Sequence, residues 1–298
     1  MIGPEELQGF DMLVWLGSGR AAAARSGCSQ PTISRQAREV AEKLHLTLQK
    51  QGGEWKVRGD TALLGFERQL HQLHRFLGRA SLRLEIGAVC GALIGLPPPD
   101  GWMAGPPARI YLPRSLQLLR QRVIDAWITT AADDLPDPPD PAWLRFDLYT
   151  APVWLVAAAD HPLIGVTALS RDDLLAFPSA GIRGGWLPRT EDHLRSRGLW
   201  SHPLQLNRYD GMRWDGRTGD GQTLAYASPP MLALNPALRR LEHNLELRCR
   251  AALLVHRDHA ETAPVAHLRT VLQERTRNLA RVHPELTPCS PDGCNPPG

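Results

Sequence analysis

The chain has 298 residues, 43% of them hydrophobic, with 34 Lys+Arg against 31 Asp+Glu for a net charge of +3. Two domains are the natural expectation at that length, with enough apolar content for a sizeable core. No apolar run approaches the roughly 20 residues of a membrane span, the N-terminus carries no basic, apolar, small-residue signal, and five scattered cysteines make no disulfide framework. These exclusions predict a cytoplasmic protein with no membrane partner.

In chain order, Leu7, Phe10, Leu13 and Val14 predict an amphipathic helix. An alanine-rich helix follows, with Ser18 placed to cap it, and then a turn at Gly27, where positive φ suits glycine. A second helix opens at Ser29-Gln30-Pro31-Thr32, with Ser29 as its cap and Pro31 tolerated in the first turn. Ile33, Ala37, Val40 and Leu44 recur at helical spacing as its buried stripe. This layout predicts a helix-turn-helix, whose second helix reads the DNA major groove with its first residues. Gln30 and Thr32 at the tip offer hydrogen bonds to bases, while Ser34, Arg35 and Arg38 can reach phosphates, which fix register. The same pattern also suits an ordinary helical hairpin. Charge favours the DNA reading: residues 1–80 hold 11 Lys+Arg against 8 Asp+Glu, so the remainder is neutral, and all three lysines lie within the first 56 residues. Lys56 and Arg58 keep the following segment basic.

Leu63, Phe66, Leu70, Leu73, Leu77 and Ala80 alternate spacings of three and four, the seam of a coiled coil. A helix packed on its own domain remains open at this point. His71 and His74 share a face, read as solvated or seam-flanking rather than as a metal pair. From about residue 82 strands and helices alternate, which predicts α/β architecture. LRLEIGAV, ARIYL, VWLVAAA and LELRCRAALLVHR read as strands; 115–127, 167–177, 189–199 and 263–279 read as helices; 97–107, 135–141 and 207–221 read as loops. Cys289 and Cys294 lie in a Pro/Gly-rich tail, expected to be disordered rather than paired or metal-binding.

The stretch 18–48 resembles the LysR-type transcriptional regulators, whose signature S-x-x-x-A-A, then S-Q-P-x-[IV]-S, is matched in register by Ser18, Ala22, Ala23, Ser29, Gln30, Pro31, Ile33, Ser34 and Leu44. Departures are Ser26, Ala37, Val40-Ala41, His45, the segment Leu48-Gln49-Lys50-Gln51 and a short wing from Gly52 to Gly59. Further on, Leu84-x-Ile86-Gly87, Val123 to Ile128, His161-Pro162-Leu163, Asp173-Leu174-x-x-Phe177-Pro178 and Gly219-x-Gly221 before Ser228-Pro229 match in order. The resemblance implies a winged helix-turn-helix over 1–60, a dimerising linker helix over 61–81 and a periplasmic-binding-protein-like effector domain over 82–285, leaving 286–298 as the tail. Two α/β subdomains would be joined by crossing strands near 152–160 and 250–257, with a ligand cleft between them. Such clefts place ligands at strand ends and helix N-termini. The candidates are Ala88, Val89 and Cys90 after the first strand, Thr129 and Thr130 after another, and Arg183, Gly184 and Gly185 in the other subdomain, where helix amides beside Arg183 would suit an anion.

What the resemblance implies is a regulator that binds double-stranded DNA through Ser29 to Thr32, Ser34, Arg35, Arg38, Lys56 and Arg58. It would respond to a small-molecule effector, with an anion the kind suited to Arg183. It would assemble as a homodimer or homotetramer through Leu63, Phe66, Leu70, Leu73 and Leu77, and address RNA polymerase. No cofactor, metal or catalysis is expected: the chain lacks G-x-S-x-G, P-loop and G-x-G-x-x-G motifs, and His256-x-x-His259 lacks the glutamate and helix of a zincin. The rival is a ligand-binding or protein-interaction module whose DNA-binding half has decayed, motivated by Ser26, Gln49 and the short wing.

Overall fold

The computed structural model describes residues 2–290 apart from 89, 108–111, 138, 183–184 and 205–216, with the backbone alone at Cys90. Helices α1 (Pro4–Leu16), α2 (Gly19–Ser26) and α3 (Gln30–Lys43) open the chain. The Ser18 hydroxyl accepts from the Ala21 amide at 3.4 Å and the Ser29 hydroxyl from the Thr32 amide at 3.3 Å, so each serine caps its helix. Gly27 closes α2 at φ 63°, and Ile33, Ala37 and Val40 are buried on α3. The hairpin β1 (Thr47–Gln51) and β2 (Glu54–Arg58) forms the wing. Its strands pair up to Gln51 and Glu54, so Gly52-Gly53 is a two-residue turn with both φ positive, the geometry that suits the twist of a hairpin.

α4 (Ala62–Phe76) follows the wing. It stops four residues short of Ala80, because Leu77 caps it and Gly78 takes φ 75°. Behind it lies a six-stranded sheet in the order β13-β6-β12-β5-β3-β4. The strands are β3 (Leu82–Ile86), β4 (Trp102–Ala104), β5 (Ala126–Thr129), β6 (Trp143–Pro152), β12 (Arg248–His256) and β13 (Thr287–Pro288). β3 runs parallel to β4 and β5, while β12 is antiparallel to β5 and β6. α5 (Cys90–Gly95), α6 (Leu112–Arg120) and α10 (Ala263–Val282) belong to this first subdomain. The second subdomain holds the sheet β10-β7-β11, from β7 (Trp154–Ala158), β10 (Ala225–Ala227) and β11 (Leu238–Arg240), and the parallel pair β8 (Ala180–Ile182) and β9 (His202–Leu204). Helices α7 (Arg171–Leu175), α8 (Pro188–Ser196) and α9 (Pro229–Leu234) pack on it. The chain crosses between subdomains at Val153 and Leu247, where the Val153 amide donates to the Leu247 carbonyl at 2.8 Å.

Several expectations shift. ARIYL lies outside the described residues except for Leu112, which begins α6, and the edge strand is β4, within the segment read as a Pro-rich loop. Residues 115–127 are not one helix: α6 ends at Arg120, Arg122 takes φ 56°, and Val123 and Ile124 lead into β5. Of 207–221, only 217–221 are described. The expected tail begins with β13 paired to β6, and Cys289 is disulfide-bonded; Cys294 lies outside the described residues.

The largest departure concerns α1. Beyond the predicted stripe of Leu7, Phe10, Leu13 and Val14, its residues Asp11, Met12, Trp15 and Leu16 are also buried. From Gly9 to Leu16 the helix is buried all round, and such a helix lies inside a core rather than on one. The core of the helix-turn-helix continues without a break from α1 through Leu112, Leu118, Leu119, Val123, Ile124 and Trp127 into the first subdomain. Trp15, Met12 and Leu16 contribute roughly 1.5–3 kcal/mol each to that junction by area burial.

Candidate DNA-binding surface and ligand cleft

Because α1 and the wing hold α3 from behind, its N-terminal turn faces outward. Ser29, Gln30, Pro31, Ser34, Arg35 and Arg38 are exposed and Thr32 is half-buried. The Ser29 and Thr32 hydroxyls lie 2.9 Å apart, so capping engages both. Arg35 and Arg38 lie 3.8 Å from Glu39 and Glu42, one turn along, and these solvated pairs leave the guanidinium groups free to exchange for phosphate. On the wing, Arg58 is exposed, Lys56 reaches Glu54 at 3.1 Å, and Lys50 lies over the Trp55 ring. A concave surface runs between α2, α3 and the wing, with Arg20, Gln30, Ser34, Arg38 and Lys50 in its lining.

α4 has two unlike faces. The predicted seam is open to solvent, with Leu63 65%, Phe66 70% and Leu77 68% exposed. Leu64, Arg68, Gln72 and Arg75 point the other way and are buried. Asp125, fully buried, accepts from Gln72 Nε2 at 3.0 Å, from both Nε and Nη2 of Arg75 at 2.7 Å, and from the Arg83 amide at 2.8 Å. Asp11 of α1 accepts from Arg68 Nε at 2.8 Å and lies 3.4 Å from Arg83 Nη1. Burial, with Arg75 nearby, lowers the Arg83 guanidinium to about 10. A second group ties the helix-turn-helix to α6. Arg114 pairs with Glu54 at 2.8 Å and donates to the Val14 and Trp15 carbonyls, while Trp15 Nε1 donates to Glu85 Oε2 at 2.6 Å. Sequence reasoning singles out none of these contacts. The available signals were Arg68, Gln72 and Arg75 at helical spacing opposite the seam, and apolar residues on both faces of α1.

Phe76, the last residue of α4, stacks on His259 at 4.0 Å between ring centroids. Burial, with Arg122 nearby, holds His256 and His259 below the ordinary histidine value. Depressed folded values mean that the stability they contribute is present above the unfolded pKa and is lost as pH falls through the folded pKa. The melting temperature should therefore fall between about pH 7 and about pH 5. His259→Phe, which keeps the stack, should flatten that fall; an unchanged slope would exclude His259 as a contributor. His71 stands 3.9 Å from Glu67, and no group of three potential metal ligands occurs among the described residues.

A cavity of about 230 Å³ lies between the two subdomains. Gly87 and Ala88 after β3, Thr129 and Thr130 at the end of β5, and Leu112 and Ser115 of α6 form one wall; Ile182, Leu187, Thr190, Trp200, Tyr226 and Met231 form the other. Ala88, Thr129 and Thr130 line this cavity. Val89, Arg183, Gly184 and the Cys90 side chain lie outside the described residues. Trp200 and Tyr226 stack at 5.9 Å, and burial pushes the Tyr226 hydroxyl up to about 12. The helix N-terminus expected to hold an anion is that of α8, and a carboxylate of the chain itself already sits there. Asp134, from the short 3₁₀ turn Ala132–Asp134, accepts from the Thr190 amide at 3.0 Å and the Thr190 hydroxyl at 2.6 Å. Burial raises the pKa of its carboxyl.

A winged helix-turn-helix, a linker helix and two α/β subdomains around a cleft define the full-length LysR-type architecture, and the chain has that fold. Full-length OxyR from Pseudomonas aeruginosa, solved as a cysteine-to-aspartate variant, is similar to it with a TM-score of 0.54 at 14% identity, over 93% of this chain and 95% of that one. ArgP from Mycobacterium tuberculosis gives 0.54 at 16% identity, over 93% and 97%. Full-length CbnR, solved in complex with its target DNA, gives 0.52 at 14% identity, over 92% and 100%. No family model and no curated protein matches the sequence. No helix among the described residues is long and apolar enough to cross a membrane.

Proposed function

We propose that this protein is a LysR-type transcriptional regulator: a homodimer formed through α4, acting in the cytoplasm, that binds double-stranded DNA through α3 and the wing under the control of a small molecule in the cleft. The observation that carries the reading is the outward-facing tip of α3, capped by Ser29 and flanked by exposed Arg35 and Arg38, in a chain similar over 92% of its length to CbnR, which was solved in complex with its target DNA. Short capped helices of this kind present polar side chains to base edges while basic neighbours meet phosphates.

Control by the cleft has a short route. Leu112 and Ser115 of α6 line the cavity, while Arg114, between them, grips the end of α1 and Glu54 at the turn end of the wing hairpin. A ligand that shifts α6 acts directly on the helix-turn-helix of its own subunit.

Footprinting purified protein on the DNA upstream of its own coding region tests the reading. Gln30→Ala should flatten preference among operator variants by roughly 1–3 kcal/mol, the worth of a bidentate contact to adenine. Arg35→Ala should weaken all DNA alike and lower the salt slope by about one unit. A protein that protects no DNA and retards none at low salt would favour the decayed module.

A further inference from the structure

The geometry points to an uncharged, largely aromatic or apolar effector, with Asp134 of the chain itself occupying the helix amides that would attract a ligand's carboxylate. The inference rests on reading the cleft as the effector site, and deepens it by naming the class of ligand.

The argument starts from the amides at the start of α8. The first turn of a helix leaves its N–H groups without intrahelical partners and attracts negative charge. Here Leu187 at the cap position supplies no side-chain acceptor. Asp134 reaches across from the first subdomain instead and takes both the amide and the hydroxyl of Thr190. Asp134 is 6% exposed, so this is a buried clasp between the two subdomains rather than a surface contact. An anionic ligand at the same turn would have to displace it or lie beside a like charge in a poorly solvated place.

Of the remaining described cations of the lining, one is already paired with carboxylates and the other is exposed to water. Arg250 is held by Asp133 at 2.9 Å and by Asp147 at 3.0 Å. Arg248 is exposed and donates to Thr150 at 2.9 Å. What the walls do offer is ring and aliphatic surface from Trp127, Trp200, Tyr226, Ile182 and Met231, with the Tyr226 hydroxyl already bonded to the Trp200 amide at 3.0 Å. A cavity so lined, with a few convergent hydroxyls from Thr129, Thr130 and Ser115, selects flat apolar molecules carrying a neutral hydrogen-bonding group.

The test compares 2-naphthamide with 2-naphthoate, two probes of one shape that differ in charge, by calorimetry on the full chain. The wild type should bind the amide and disfavour the carboxylate by about tenfold or more. Asp134→Asn keeps the shape and removes the charge, and should narrow that ratio to about threefold or less by tightening naphthoate binding. Thr190→Val removes a donor that favours the charged carboxylate and should also narrow the ratio, which covers the case of an Asp134→Asn protein that does not fold. The inference is overturned if the wild type binds naphthoate as well as the amide, if it binds neither, or if both variants leave the ratio unchanged. Footprinting the same preparations separates the two readings. DNA protection without discrimination between the probes leaves a regulator with another kind of ligand; discrimination without DNA protection leaves the ligand class and removes the regulator.

Discussion

Replacing both Leu70 and Leu73 with aspartate is expected to convert the protein to monomers. The seam of α4 leaves Leu63, Phe66, Leu70, Leu73 and Leu77 at 47–70% exposure in the single chain, a contiguous apolar stripe of a kind that soluble proteins cover with a partner. In an isologous dimer each substitution occurs twice, so four carboxylates would enter an apolar interface. Each costs several kcal/mol when desolvated without a partner, so the dissociation constant should rise by about a thousandfold or more. The fold of the monomer should survive, because the face of α4 that holds the chain together is the opposite one, with Leu64, Arg68, Gln72 and Arg75. Analytical ultracentrifugation with circular dichroism decides the matter. A double variant that sediments as the wild-type oligomer would place the interface elsewhere, and one that unfolds would assign the seam to the core.

The second large effect is expected from Asp125→Ala. Its carboxylate receives Gln72, two nitrogens of Arg75 and the Arg83 amide within 3.0 Å at a fully buried position. Removing one partner of a buried pair leaves the other charge uncompensated, at a cost of roughly 3–5 kcal/mol. Arg75 would lose its charge partner and the Arg83 amide its acceptor. Urea denaturation followed by tryptophan emission should show this loss in one transition, since the core runs unbroken from α1 to β5. A double variant, Arg75→Met with Asp125→Leu, should recover much of it, because apolar replacement of a whole buried pair is often near neutral. If Asp125→Ala costs less than about 1 kcal/mol, or if the helix-turn-helix melts separately, the network is not what docks α4 and α1 on the sheet.

These two experiments address opposite faces of one helix, and only one face was legible in the sequence. The seam shows itself through apolar spacing, and spacing is local. Arg68, Gln72 and Arg75 look like an ordinary solvated face, because their partners Asp11 and Asp125 lie fifty or more residues away along the chain. Likewise the serine caps at Ser18 and Ser29, the turn at Gly27 and the stripe Ile33-Ala37-Val40 each follow from residues within one or two turns, and the structure places them where local chemistry puts them.

What the sequence determined by itself is local: the capped helices, the apolar seam and the alternation of strands and helices follow from short-range periodicity and punctuation, while the wing, the linker and the two-subdomain plan were implied by the family resemblance. Tertiary structure alone decided how those parts meet. It buried α1 on all sides from Gly9 to Leu16, turned Arg114 from a basic helix residue into the link between cleft and wing, and brought Asp134 to the amides of α8 from 56 residues away. The physical reason is common to all three. A charged side chain carries no mark in sequence of whether water or a distant opposite charge will satisfy it, and only packing removes the water.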